Sequence, residues 1–187
     1  MVKKSQHICP WWLGYFLINP FRRFRNDPYI LLGPYITPGM KILDYGCAMG
    51  YFSLPLANLV GKTGRVYAVD IQQKMIDRLI KRARKEQLDQ IIQPVLVTET
   101  SVLEALSGQI NFALLFAMVH EVPDQGALFA AIGKLLQSGS FALFAEPRGH
   151  VSEAAFNHSL QLASEAGLEV SQNLRVNGSH AVVLVKK

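Results

Sequence analysis

Residues 40–50, Met-Lys-Ile-Leu-Asp-Tyr-Gly-Cys-Ala-Met-Gly, carry the strongest structural signal in the chain. The apolar run at 40–45 has the length of a buried strand and stops at Gly46, which permits a tight turn. Cys47 and Ala48 are small enough for a ligand to approach the backbone, and Gly50 lets a helix begin close to the sheet. The stretch therefore predicts a strand, a tight loop and a helix, with a ligand site at the loop.

A second strand, predicted at 65–69, ends in Asp70. This residue follows Gly50 by about twenty positions, a spacing typical of nucleotide-binding folds. A carboxylate at this strand end can accept hydrogen bonds from both hydroxyls of a ribose. The alternative is an ordinary strand–turn–helix corner in which the aspartate caps a helix. The glycine pattern, the spacing and the acidic strand end together favour the ligand site.

The hydrophobic pattern predicts five strand–helix units followed by a hairpin. Strands are predicted at 40–45, 65–69, 94–97, 111–116 and 141–145, and helices at 51–60, 72–87, 101–106, 126–136 and 152–166. Gly139 is predicted to end the fourth helix and Gly167 the fifth. Runs at 170–176 and 180–186 flank Asn177-Gly178, a strong hairpin signal.

Repeated strand–helix units pair in parallel through right-handed crossovers, whereas the hairpin must add an antiparallel strand. The predicted fold is α/β, a Rossmann-like doubly wound seven-stranded sheet that is mostly parallel with an antiparallel C-terminal hairpin strand. Ligands bind such sheets outside the carboxyl ends of the strands.

The composition is that of a compact protein with one sizeable core: 187 residues, 50% hydrophobic and 18% charged. The net charge of +5 suits RNA, a membrane surface or an anionic small molecule, but much of it lies in two clusters, at 22–25 and 81–85. The second cluster is predicted to lie on a solvated helix face. Cys9 and Cys47 form no disulfide framework, which predicts a reducing, cytoplasmic environment. No metal site is predicted, and the apolar run at 11–18 is too short to span a bilayer.

Residues 1–36 are predicted to form a separate N-terminal helical segment, ahead of a ligand-binding domain at 37–187. The segment is rich in aromatic and arginine residues and is broken at Pro20 and Pro28. It could fold over the site as a lid, with Trp11, Trp12 and neighbouring aromatics walling an apolar pocket. The alternative is that these aromatics simply cover the flank of the sheet.

Together these residues resemble the class I S-adenosylmethionine-dependent methyltransferases. Residues 44–50 match that family's D-x-G-x-G-x-G loop, and Asp70 matches its ribose-binding acid. Residues 111–124, NFALLFAMVHEVPD, are similar to a segment of the small-molecule branch that includes quinone-biosynthesis methyltransferases. The resemblance covers about residues 33–187. Two positions depart from it: Ala48 replaces the middle glycine of the loop, where slightly tighter packing is expected, and Asn111 replaces an aspartate.

The resemblance implies S-adenosylmethionine as cofactor and a set of residues that bind it. Four loop residues would line the methionine moiety, Asp44 would reach the amino group, Asp70 would hold the ribose and Ile71 would pack on the adenine. The remaining predicted positions lie on the loop, near the start of the helix after Asp70, and at the ends of strands three and four: Gly46, Cys47, Ala48, Gly50, Met75, Thr98, Glu99, Phe116, Ala117 and Met118.

Four further residues are candidates for acid–base catalysis. His120 and Glu121 follow strand four, and Glu146 and His150 follow strand five, so all four belong to the functional edge of the sheet. If the acceptor is a hydroxyl, a base assists transfer, and histidine has a suitable pKa near neutrality. The alternative is that these residues only cap or orient the following helices.

The favoured function is methyl transfer to a small-molecule acceptor, and nucleic acid is disfavoured as a partner. An RNA or protein methyltransferase is the first alternative, but strand four lacks the [DNS]-P-P-[YF] signature and there is no Pro-Cys pair. A non-catalytic protein that binds S-adenosylmethionine is the second. A nicotinamide-binding enzyme is disfavoured, because the glycines do not follow G-x-G-x-x-G.

Overall fold

The computed structural model describes residues 26–98 and 101–187, and its centre is a seven-stranded sheet in the order β3-β2-β1-β4-β5-β7-β6. Strands β1 to β5 pair in parallel, and β7 pairs antiparallel with both β5 and β6. The predicted fold class is confirmed. The strands are β1 Lys41–Tyr45, β2 Arg65–Asp70, β3 Ile92–Leu96, β4 Ile110–Phe116, β5 Leu136–Pro147, β6 Leu168–Asn173 and β7 Ser179–Lys186.

Helices cover both faces of the sheet. They are α1 Pro28–Leu32, α2 Ser53–Val60, α3 Gln73–Lys85, α4 Ser101–Glu104, α5 Gln125–Leu135 and α6 Glu153–Glu165. Alternate residues of β1 enter opposite cores: Ile42 packs with side chains of α2 and α3, and Leu43 packs with those of α5 and α6. The central strands are apolar because both of their faces are buried.

The chain between α5 and β5 differs from the prediction. Gly139 does not end a helix: α5 ends at Leu135, and β5 begins at the next residue. Leu136 pairs with Ile110 and Phe141 pairs with Phe112, so residues 137–140 bulge opposite a single residue of β4. Gly139 has a φ of 80° inside this bulge. A glycine in the left-handed region suits a helix C-terminus and a bulge equally. Gly139 alone therefore does not distinguish the end of a helix from a bulge in a strand.

The other predicted boundaries are close to those observed. Strand β3 begins at Ile92 and contains Pro94, which an edge strand tolerates because one side of its backbone needs no partner. The hairpin is confirmed, with Ser179 N donating to Val176 O (3.1 Å) across Asn177-Gly178, although β6 already ends at Asn173.

The predicted aromatic lid at residues 1–25 lies outside the described residues. The remainder of the predicted N-terminal segment begins with α1, which Asp27 caps by accepting from Tyr29 N (2.8 Å). Leu32 and Ile36 are buried in the same core cluster as Ile42. Across residues 26–98 and 101–187, no helix combines the length and the apolar character that a bilayer span requires.

Asn111, which departs from the family pattern, lies opposite the bulge and ties β1 to β4. Its Oδ1 accepts from Lys41 N (2.7 Å), and its Nδ2 donates to Gln137 Oε1 (2.8 Å). An aspartate supplies the same acceptor for Lys41 N, and the exposed Gln137 can rotate its amide to donate instead. The two residue types are therefore interchangeable here.

We expect Asn111→Ala to lower the free energy of unfolding by about 1–2 kcal/mol, because Lys41 N loses its acceptor. Asn111→Asp keeps that acceptor and should change stability by less than about 0.5 kcal/mol. Urea denaturation of both variants measures the difference. Equal destabilisation by the two substitutions would contradict this account of the position.

Candidate active site

The loop after β1 turns back beneath the end of β2. Gly46 N and Cys47 N both donate to Val69 O, at 2.8 and 2.9 Å. Gly46 has a φ of 79°, and a Cβ placed there would lie 2.7 Å from Cγ of Met118. Both the backbone conformation and the close approach of Met118, which follows β4, therefore require glycine.

The far end of the loop is wedged between two helices. Gly50 has a φ of 81°, and a Cβ there would lie 2.4 Å from Leu79 Cδ1 and 2.7 Å from Leu54 Cδ1. The half-buried Arg82 of α3 donates a hydrogen bond to Met49 O. The sequence predicted Arg82 on a solvated face, but its guanidinium turns inward and holds the loop.

Ala48 is one of the few non-glycine residues with a positive φ, 47°. An L-residue in this region costs about 1–2 kcal/mol relative to the right-handed region, which glycine largely avoids. The departure from the family's glycine therefore has a conformational cost. Ala48 N donates to Asp70 Oδ2 (2.9 Å), and this bond helps to hold the strained residue in place.

Asp70 joins the two strand ends. Its Oδ2 accepts from Ala48 N, and its Oδ1 accepts from Gln72 N (2.8 Å). Burial raises the pKa of Asp70 above its usual value, although the backbone hydrogen bonds oppose this rise. A carboxylate has about four lone-pair sites, so acceptor capacity remains for a hydroxyl donor. Ile71, directly beyond it, is 56% exposed.

Asp44 is a buried carboxyl group beneath the loop, with 3% of its surface exposed. Ser53 Oγ donates to its Oδ2 (2.6 Å). Burial raises the pKa of Asp44 to about 7, the Ser53 hydrogen bond opposes that rise, and the charge of Asp70 adds to it. Sequence reasoning missed Ser53, whose position on α2 gives no separate signal.

The remaining predicted cofactor residues differ in solvent exposure and in their contacts. Met75 is buried in α3, and Thr98 is exposed after β3. Glu99 lies outside the described residues. Phe116 packs on Phe52 with ring centroids 4.7 Å apart. Ala117 has a φ of 57° and donates from its N to Ala145 O (2.7 Å), which ties the ends of β4 and β5 together.

His120 and Glu146 meet at the ends of β4 and β5. Glu146 is only 1% exposed, and its Oε1 accepts from Val119 N (2.7 Å) and His120 N (3.4 Å). Its Oε2 is hydrogen-bonded to His120 Nδ1. The hydrogen bond to Glu146 raises the pKa of His120, and partial burial opposes that rise.

The other two acid–base candidates flank this pair. Glu121 Oε1 lies 4.0 Å from His120 Nε2, and the His150 ring stands edge-on to the His120 ring, with centroids 5.6 Å apart. None of the four predicted residues caps the next helix: Asp124 caps α5 by accepting from Ala127 N, and Ser152 caps α6 by accepting from Ala155 N. The capping half of the alternative is therefore wrong, whereas an orienting role for these residues stays a prediction.

Comparison with known proteins identifies the family. A family model described as a methyltransferase domain matches residues 36–178, well over half of the chain. The chain belongs to the class I S-adenosylmethionine-dependent methyltransferases. The solved structure of an S-adenosylmethionine-dependent methyltransferase from Aquifex aeolicus has the same fold, with a TM-score of 0.83 at 19% identity. That match covers 95% of this chain and 98% of the other.

Two curated relatives of this methyltransferase act on different acceptors, according to their names. The ubiquinone biosynthesis O-methyltransferase of Caulobacter sp. (strain K31) is 32% identical over 135 residues, which is 71% of this chain and 50% of that protein. The 23S rRNA (uracil(1939)-C(5))-methyltransferase RlmD of Acinetobacter baylyi is 42% identical over 56 residues, 30% of this chain and 12% of that protein. The chain thus spans half or less of the length of these two relatives.

The buried carboxyl of Asp44 makes the stability of this methyltransferase depend on pH. Because its pKa is raised from 3.8 to about 7, the folded protein binds more protons than the unfolded chain between these values. The protonated Asp44 carboxyl therefore contributes to the free energy of unfolding at low pH. This contribution is lost as the pH rises toward and through about 7.

We expect Asp44→Asn, which removes this titration, to become more stable relative to the wild type as pH rises from about 5 to about 8. Urea denaturation across that range measures the difference. Asp89→Asn, at an exposed position, is the matched control and should run parallel to the wild type. A pH-independent difference between Asp44→Asn and the wild type would show that Asp44 does not titrate in this window.

Proposed function

We propose that this methyltransferase transfers the methyl group of S-adenosylmethionine to a small-molecule acceptor. The observation that carries the cofactor site is the hydrogen bond from Ala48 N to Asp70 Oδ2 (2.9 Å), which joins the loop of β1 to the acid of β2. In this proposal Asp70 holds the ribose hydroxyls, and Asp44 reaches the amino group. Gly46, Cys47, Ala48 and Gly50 line the methionine portion.

The described residues fit this cofactor. Gly46 has no side chain, which lets the loop backbone pass against Met118, where a Cβ would lie 2.7 Å from Met118 Cγ. Ile71 is exposed beside Asp70 and offers an apolar surface for the adenine. In the same proposal Thr98 and Glu99 meet the adenine edge, residues 116–118 lie between cofactor and acceptor, and the buried Met75 supports the site from below.

The two buried carboxyl groups suit the two ends of the cofactor. An ammonium group near Asp44 favours its ionised form, so binding the amino group relieves the cost of burying that charge. Asp70 is already oriented by backbone donors, among them Ala48 N and Gln72 N, and loses little freedom when hydroxyls bind. S-adenosylmethionine supplies an already activated methyl group, so the chain's task is to position the acceptor and exclude water.

The small-molecule acceptor is favoured by two observations. Residues 111–124 resemble the small-molecule branch, and the ubiquinone biosynthesis relative aligns with 71% of the chain. RNA is a second candidate, because RlmD is 42% identical over 56 residues and because α3 carries an exposed basic stripe. The stripe residues recur at helical spacing and are Lys74, Arg78, Lys81 and Lys85. The RlmD match is short, and a basic stripe opposite the core is ordinary for a surface helix.

The acceptor class is tested by incubating the protein with radiolabelled S-adenosylmethionine and a cell extract, then separating the labelled products. Label in the small-molecule fraction, unaffected by ribonuclease or protease, supports the proposal. Label that ribonuclease releases from large RNA supports the second candidate. Tight binding of S-adenosylhomocysteine without any label in the extract would instead support a non-catalytic binding protein.

We expect Asp70→Ala to weaken S-adenosylhomocysteine binding by about 2–3 kcal/mol, because a partly buried charge-assisted pair of hydrogen bonds is lost. Asp70→Asn keeps one acceptor oxygen and should lose less. Titration calorimetry gives both values, and Asp89→Ala, at an exposed position, is the control. Unchanged affinity in Asp70→Ala refutes this placement of the ribose.

A further inference from the structure

We propose that His120, oriented by Glu146, is a general base that takes the proton of a hydroxyl acceptor, and that the acceptor is a phenol or an enol. The inference rests on the proposed methyl transfer and adds the atom to which the methyl group goes.

Glu146 is held from two directions. Oε1 accepts from the backbone of the 3₁₀ turn Val119–Glu121, and Oε2 is hydrogen-bonded to Nδ1 of His120. A buried charge is costly unless it is paired, so this carboxylate requires a proton on Nδ1. The neutral imidazole therefore carries its proton on Nδ1 and presents an unprotonated Nε2, which is the form that a base needs.

Nε2 of His120 has no hydrogen bond within the described residues, and its nearest charged neighbour is Glu121 Oε1 at 4.0 Å. The turn that carries His120 begins directly after Met118, whose Cγ lies 2.7 Å from the Cβ position of Gly46. His120 is thus two residues from the contact with the cofactor loop. The turn that carries this carboxylate-oriented imidazole therefore leads directly out of the contact with the cofactor loop.

The titratable groups around His120 are Glu146 on β5, Glu121 on its own turn and His150 after β5. Both glutamates raise the pKa of His120, and partial burial opposes them. A neutral hydroxyl acceptor needs a base as the methyl group arrives. Phenols, with a pKa of about 10, and enols are the hydroxyl acceptors acidic enough for an imidazole to assist, whereas an aliphatic alcohol is too weak an acid and a carboxylate acceptor needs no base.

The acceptor hydroxyl, the methyl donor and His120 account for every bond and proton in the proposed step. The acceptor oxygen forms a bond to the methyl carbon while the carbon–sulfur bond breaks, and the sulfur keeps that electron pair as a neutral thioether. The proton of the hydroxyl goes to Nε2 of His120, and the resulting imidazolium is stabilised by Glu146. Solvent then removes the proton. Glu146 is a positioning residue, since it acts through the imidazole.

The dyad is tested first without turnover, by NMR of ¹⁵N-labelled histidine in the S-adenosylhomocysteine complex. We expect His120 to be the Nδ1–H tautomer with a raised pKa, and Glu146→Gln to lower that pKa. His158→Gln, which removes an exposed histidine of α6, is the control and should leave the His120 signals unchanged. An ordinary Nε2–H imidazole with the same pKa in wild type and Glu146→Gln overturns the dyad.

The chemistry is tested with S-adenosylmethionine labelled with ¹³C in the methyl group, with catechol and the small-molecule fraction of the extract as acceptors. We expect an O-methyl product, a fall in rate of roughly a hundredfold or more in His120→Gln, and unchanged S-adenosylhomocysteine affinity. In Glu146→Gln the acidic limb of the pH–rate profile should move to lower pH, because the base has lost the charge that raised its pKa. His158→Gln should keep both rate and profile.

The outcomes separate the two proposals. If the wild-type protein binds S-adenosylhomocysteine but methylates neither acceptor, the proposed methyl transfer is contradicted. The proposed role of His120 as a general base is then contradicted as well. A wild-type protein that methylates nitrogen, sulfur or carbon keeps the transfer and overturns the hydroxyl acceptor. Turnover with an unchanged pH profile in His120→Gln overturns the base alone.

Discussion

The hydrogen bond between Ala48 N and Asp70 Oδ2 links the two strand ends on which the proposed cofactor site depends. Parallel strands β1 and β2 are neighbours, so their carboxyl ends emerge side by side, but adjacency alone leaves the loop after β1 unconstrained. The carboxylate of Asp70 holds that loop against the end of β2 and stabilises the positive φ of Ala48. Gly46 and Gly50 then let the loop pass close to Met118 on one side and to Leu79 on the other.

Three buried carboxyl groups lie along the edge of this sheet where the parallel strands end: Asp44, Asp70 and Glu146. Each sits where a purely structural core would favour an apolar residue, because burial disfavours the charged form. Their hydrogen bonds offset part of that cost: a serine hydroxyl for Asp44, backbone amides for Asp70, and backbone amides with an imidazole for Glu146. Such local conflict with stability is typical of functional sites.

The sheet divides the site into two halves with different chemistry. Strands β1 and β2 present carboxylates and a loop with few side chains, which suits a cofactor bound largely through the backbone. Strands β4 and β5 present two histidines and two glutamates, which suits proton transfer. Met118 connects the halves, since it packs against Gly46 and leads into the turn of His120.

The sequence by itself determined the order of strands and helices, the loop at 44–50 and the acid at Asp70, because these depend on local periodicity, on glycine and on strand-end position. It also placed His120, Glu121, Glu146 and His150 at one edge, since parallel strands end together. Gly139 was assigned to the wrong element, because a positive φ serves a bulge as well as a helix end.

The pairings within the site were decided only by the tertiary structure. The bonds from Ser53 to Asp44, from Arg82 to Met49 and from His120 to Glu146 join residues 9, 33 and 26 positions apart. Whether such side chains meet depends on the packing of one element against another. No local pattern in the sequence records that geometry.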